Sequence, residues 1–143
     1  MKLKIIPPIK AVMLHGSRTN PNVTKDRLQD FDIVYVVDQM EYFLNNDYVK
    51  RFGEVAIMQP PNKMTLFESE NSETFAYLMQ FKDGNRIDLT LMSEELVEKY
   101  CYQDQLAKVL YDPVGIFKPI PVANDSSYYI KKLTQQQFYD CCN

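Results

Sequence analysis

The stretch HGSRTNPNVTKDRLQDFDIVYVVD, residues 15–38, sets two carboxylates into an apolar run: Asp30 and Asp32 alternate with Phe31 and Ile33, and Val34, Tyr35, Val36 and Val37 follow. Residues 31–37 read as a strand apolar on both faces, which predicts a central place in a sheet. Residues two apart in a strand point the same way and lie about 6.5 Å apart along the chain, so Asp30 and Asp32 aim at one spot. Unpaired burial of both would cost several kcal/mol, and no adjacent Arg or Lys stands in the sequence to offset it. They therefore either lie in water at the strand's mouth or hold a cation.

Working outward, Ala11 to Leu14 is a short apolar run ending at Gly16-Ser17, a strand followed by a turn. Arg18 to Gln29 is polar, contains Asn20-Pro21, and reads as loop or short helix. Beyond the Asp strand, Asp38 with Glu41 resembles a capping box. Met40, Phe43, Leu44, Tyr48 and Phe52 then recur at helical spacing up to Gly53, which predicts one helix across 38–53. Val55 to Met58 is a brief strand before Pro60-Pro61, and Asn62 to Glu73 is a polar, acidic loop.

Phe75, Tyr77, Met79 and Phe81 alternate, Lys82-Asp83-Gly84-Asn85 supplies a turn, and Arg86 to Met92 resumes as strand, so a hairpin is expected. Ser93 is placed to cap a short helix through Lys99. Leu106 to Tyr111 fits helix or strand, and the Asp112-Pro113-Val114-Gly115 turn after it favours a strand. At the end, Thr134 and Gln137 form a capping-box pattern, with Phe138, Cys141 and Cys142 on one helical face. That helix has no C-cap before Asn143, so it is expected to continue in a longer protein.

The second strand of the hairpin, NRIDLTLM, holds a third interrupting carboxylate, Asp88. Three aspartates from two neighbouring strands make a hard oxygen site of the kind that holds Mg²⁺ and leaves room for phosphate. Each one alone reads as an ordinary strand-end residue or turn former. Upstream, the Gly16-Ser17 turn offers backbone amides to a phosphate. Arg86 is expected to pair with an acidic cross-strand neighbour, contact with a phosphate being the alternative. His15, the single histidine, abuts the Gly-Ser turn and either contacts a ligand there or simply ends its strand.

The totals narrow the classes. The chain has 143 residues, 45% hydrophobic and 24% charged, as expected of one globular domain. A net charge of −3 with no basic stripe excludes a nucleic-acid partner and favours, weakly, cationic ligands. Cys101, Cys141 and Cys142 lack zinc spacing and read as reduced thiols of a cytoplasmic protein, with no base partner beyond His15 for cysteine catalysis. The start, MKLKIIPPIK, is neither a signal peptide nor a membrane span.

An apolar strand, Gly-Ser, a spacer, Asp-x-Asp in a second strand and one Asp on a later strand resemble the nucleotidyltransferase superfamily with the polymerase-beta-like palm. More narrowly, AVMLHGSRTNP, LQDFDIVYVV, FGEVAIMQPP and LMQFKDGNRIDLTLM resemble the aminoglycoside 6-adenylyltransferases, which modify streptomycin. The resemblance implies an α+β palm over residues 1–133, a mixed, mostly antiparallel sheet flanked by helices. It also implies the start of a C-terminal helical domain at 134–143, the rest of that domain being missing here. Its activity would be transfer of AMP from ATP to a hydroxyl of an aminoglycoside such as streptomycin. Asp30, Asp32 and Asp88 would hold Mg²⁺, with Gly16, Ser17 and Arg18 at the triphosphate. The isolated palm would bind Mg-ATP weakly and transfer poorly. A non-catalytic module of the same fold, acting by partner binding, is the alternative. An RNA-tailing enzyme on this palm is disfavoured by the acidic balance.

Overall fold

The computed structural model describes residues 9–44, 47–61 and 73–142. Six strands form one sheet: β1 (Ile9–His15), β2 (Phe31–Val37), β3 (Val55–Gln59), β4 (Phe75–Phe81), β5 (Arg86–Met92) and β6 (Ala107–Tyr111). Their order is β3-β4-β5-β2-β1-β6. Only the β2–β5 pair is parallel; the other neighbours are antiparallel. The sheet is thus mixed and mostly antiparallel, as expected, with β2 at its interior.

Alternation along the strands sorts the side chains into two layers. On one face Val37, Tyr77, Met79, Phe81, Leu89 and Leu91 pack with Phe43, Tyr48 and Val49. On the other, Ala11, Met13, Val34, Val36 and Met92 pack with Val97, Cys101, Ala107 and Phe117. Full burial of such side chains stabilises by about 1.5–3 kcal/mol each. In the first layer the Tyr77 hydroxyl donates to the Phe43 carbonyl at 2.9 Å, so the one polar atom of a fully buried ring is satisfied.

The helices are short. α1 is Met40–Phe43, followed by a 3-10 turn at Val49–Phe52; α2 is Val97–Tyr100, entered through a 3-10 turn at Glu94–Leu96; α3 is Gln135–Cys142. The single helix expected over 38–53 is therefore corrected to two turns. Leu44 ends α1, and the sequence continues Asn45-Asn46-Asp47, residue types whose side chains compete for backbone hydrogen bonds and favour turns over helix interior. Asp38 does not cap α1, whose N-cap is Gln39; it accepts from Lys10 Nζ at 3.2 Å, a cation that also donates to Glu94. Ser93 stands at the N-cap of its turn without a side-chain cap bond.

The hairpin forms with the expected bounds, closed by Phe81 N–H to Asn85 O at 2.9 Å and Gly84 N–H to Phe81 O at 3.1 Å. The 106–111 segment is strand from Ala107. Thr134 and Gln137 form the reciprocal capping box, with Thr134 N–H donating to Gln137 Oε1 at 3.0 Å and Gln137 N–H to Thr134 Oγ1 at 3.3 Å. Every residue of α3 is exposed. The acidic loop expected at 62–73 lies, except for Glu73, outside the described residues. Among the described residues no helix is long and apolar enough to cross a membrane.

Candidate active site

The topology explains how carboxylates survive on an interior strand. Because β2 and β5 are parallel, both begin at the same edge of the sheet, and Asp32 stands directly opposite Asp88. Asp30 precedes Asp32 by two residues and shares its face, as do Thr90 and Met92 beyond Asp88. That face is apolar and covered towards the ends of the strands, at Val34, Val36 and Met92. At their beginnings it opens to solvent. The three aspartates are all partly exposed, with one carboxylate oxygen from each lying within 4.8 Å of the others. Oxygens on opposite sides of one Mg²⁺ stand about 4.2 Å apart, so a small inward movement of these side chains would bring the hard-oxygen set to the spacing of such an ion.

The charge is poorly balanced. Burial, then Asp30 and Asp88, push the Asp32 carboxyl up to about 6, while Arg86 pulls it back. Arg86 corrects the expectation that no cation stands by. Its guanidinium grips Asp88 through Nε to Oδ1 at 3.0 Å and Nη2 to Oδ2 at 2.7 Å, and approaches Asp30 Oδ2 at 3.8 Å. The main partner is on its own strand, two residues on, and the cross-strand contact is the longer one.

At the end of β1 the chain turns through Gly16 into a 3-10 turn, Ser17–Thr19. Gly16 adopts φ 77° and ψ −162°, a region essentially confined to glycine. Its N–H donates to Leu106 O at 2.9 Å, so the Gly16 amide is committed within the fold. The amides of Ser17 and Arg18 open the 3-10 turn, where a helix has no acceptor of its own for them. Arg18 is turned to the backbone: Nε reaches Gln29 O at 3.2 Å and Asp30 O at 3.0 Å, Nη2 reaches Gln29 O at 2.7 Å, and the guanidinium lies 3.7 Å from the Phe31 ring centre. It pins the turn to the start of β2 and so to Asp30.

Two clefts adjoin this centre. The first, about 330 Å³, is lined by Asp32 and Asp88 with His15, Thr74, Thr90 and Tyr100. His15 ends β1 opposite Asp32, and burial holds its imidazole below the ordinary value, which favours the neutral form. The second, about 390 Å³, is lined by Gly16, Ser17, Asn20, Leu106, Asp125, Tyr128 and Tyr129 and shares no lining residue with the first. Buried Asn20 donates to Asp125 at 3.0 Å and accepts from the Asn22 N–H at 2.9 Å, tying the turn to the C-terminal segment. Thr90 was legible as the residue two beyond Asp88. Asn20 stood in the HGSRTNP motif only as a turn residue, and Thr74, Tyr100 and Asp125 carried no sequence signal, since only tertiary packing brings them here.

The thiols belong to other surroundings. Cys101 is buried beside Met92, which pushes its thiol up to about 11, and Cys141 and Cys142 are exposed on α3. A thiol so raised is protonated at neutral pH and a poor nucleophile.

The crystal structure of an aminoglycoside 6-adenyltransferase from Bacillus subtilis resembles this chain with a TM-score of 0.59 at 36% identity, covering 94% of this chain and 45% of that one. The fold is thus that of the α+β nucleotidyltransferases. Residues 6–143 match the family model of streptomycin adenylyltransferase, and the chain belongs to that family. It is 39% identical over 137 residues to the aminoglycoside 6-adenylyltransferase of Staphylococcus aureus, and 44% and 42% identical over the same length to those of Campylobacter jejuni and Bacillus subtilis. Each match covers 94% of this chain and 49%, 47% and 48% of the relative, in that order. The chain spans about half the length of the curated relatives it matches.

Proposed function

We propose that this chain is the nucleotide- and metal-binding palm of an aminoglycoside adenylyltransferase, transferring AMP from Mg-ATP to a hydroxyl of an aminoglycoside such as streptomycin. The observation that carries the reading is the convergence of Asp30, Asp32 and Asp88 beside the Gly16-Ser17 turn, in a chain of this family. In the reaction the acceptor oxygen bonds to the α-phosphorus, pyrophosphate leaves with the broken bond's electrons, and the hydroxyl proton passes to a general base. Magnesium, when bound by Asp30, Asp32 and Asp88, would offset charge on the phosphoryl oxygens and acidify the hydroxyl.

The residues of the chain supply position. The second cleft, with Ser17 and the exposed rings of Tyr128 and Tyr129, is suited to the nucleotide: the Ser17 hydroxyl and the amides that open its turn offer donors to phosphate, and Arg18, committed to the Gln29 and Asp30 carbonyls, holds that turn in place. The first cleft, with Asp32, Asp88, Thr74, Thr90 and Tyr100, offers oxygens to a polycationic, hydroxyl-rich acceptor. Residues 134–143 begin a second, helical domain in this reading, and the site of action is the cytoplasm, where ATP is available.

The test is mass spectrometry of streptomycin after incubation with ATP, Mg²⁺ and this chain fused to the C-terminal half of the Bacillus subtilis relative. One added adenylyl group is expected, with little or none from the chain alone. If the fusion folds and binds Mg-ATP yet modifies no aminoglycoside, the palm is a non-catalytic binding module instead.

A further inference from the structure

Arg86 enters β5 on the same face as Asp88, and its fork takes both oxygens of that carboxylate at 3.0 and 2.7 Å while leaning towards Asp30. A two-pronged guanidinium–carboxylate contact uses the directions from which a cation would also draw on those oxygens. A guanidinium and a divalent ion on one carboxylate repel as well. The Arg86 side chain is 48% exposed, so it has room to swing away without unpacking the core.

We propose that Arg86 is a displaceable counter-ion of the carboxylate site: it clamps Asp88 when no cation is present, and an entering divalent cation loosens that clamp. This rests on the metal reading given above. The clamp serves two ends. It keeps three like charges together in the cation-free protein, where Asp32 is already partly deprived of water. It also weakens the hold on the ion, so that metal retention depends on what arrives with it. A static surface ion pair would do neither, because its removal leaves the affinity for cations unchanged or lowers it by disturbing Asp88.

The experiment is an EPR titration of Mn²⁺ alone into the wild-type chain, Arg86→Gln, Arg86→Lys and the Asp30→Asn/Asp32→Asn double variant, with melting curves in EDTA and in Mn²⁺. Arg86→Gln is expected to bind Mn²⁺ roughly tenfold tighter, as removal of a unit charge near a divalent ion in a water-like medium implies. Its melting temperature in EDTA should fall below wild type and be restored by Mn²⁺. Arg86→Lys, which keeps the charge without the fork, should fall between. Equal or weaker binding by Arg86→Gln, with binding abolished in the double variant, overturns the counter-ion and leaves the metal site standing. Binding by none of the four, or undiminished binding by the double variant, overturns the metal site and the counter-ion with it.

Discussion

A Cβ atom placed on Gly16 would sit 2.3 Å from Oδ2 of Asp32. The turn after β1 and the carboxylate on β2 are therefore packed together, and a side chain at position 16 is strained by the backbone angles and fits only if the Asp32 carboxylate moves aside. Gly16→Ala should cost about 1–3 kcal/mol from the backbone alone and displace Asp32 as well. Urea denaturation measures the first part, and a Mn²⁺ titration the second. A stability and a metal affinity both equal to wild type would show that the turn relaxes freely.

Asp32 gives the cation-free protein a pH dependence. Its folded carboxyl is raised to about 6 from an ordinary 3.8, so the native state binds a proton that the unfolded chain releases. Its contribution to stability is then fully present below about pH 4 and is lost as pH rises through about 6. In EDTA, Asp32→Asn should leave the melting temperature nearly unchanged at pH 4 and raise it at pH 7.5. A gain of the same size at both values would mean that Asp32 is not the titrating group.

Divalent cation should reverse that penalty. Mg²⁺ at a hundred times its dissociation constant is expected to stabilise by about 2.7 kcal/mol, and Asp30→Asn/Asp32→Asn should abolish the effect. Calorimetry with ATP and Mg²⁺ on the same pair should show binding only to the wild type. Equal heats from both would remove these aspartates from the metal site.

The sheet face remote from the site offers a control. Tyr77→Phe leaves the Phe43 carbonyl without its 2.9 Å donor inside the core, at a cost of roughly 1–3 kcal/mol. Metal binding should not change, because Tyr77 lies on the opposite face from the aspartates. A loss of Mn²⁺ affinity in this variant would show that the two layers are coupled through β5.

Several elements were legible because their physics is local. Alternation placed Asp30 and Asp32 on one face and Asp88 on the face shared with Thr90, and the Lys82–Asn85 turn set the hairpin register. The 38–53 segment was not legible: its apolar spacing is helical, but Asn45-Asn46-Asp47 interrupts it, and periodicity takes no account of side chains that compete for the backbone. Arg86 meets the expected cross-strand acid, Asp30, at 3.8 Å, but its stronger partner, Asp88, was hidden for a related reason: it lies two residues along the same strand, where same-face neighbours meet.

By itself, then, the sequence determined the strands, the turns and the residue types that make a hard-oxygen site, since period and composition act over a few residues. The tertiary structure decided that β2 and β5 run parallel in register, bringing Asp32 opposite Asp88, and that Gly16 closes against them. It also decided that Thr74, Tyr100, Asn20 and Asp125 form the walls of two clefts. Those outcomes depend on which strand pairs with which, a choice made by burial over the whole sheet rather than by any one segment.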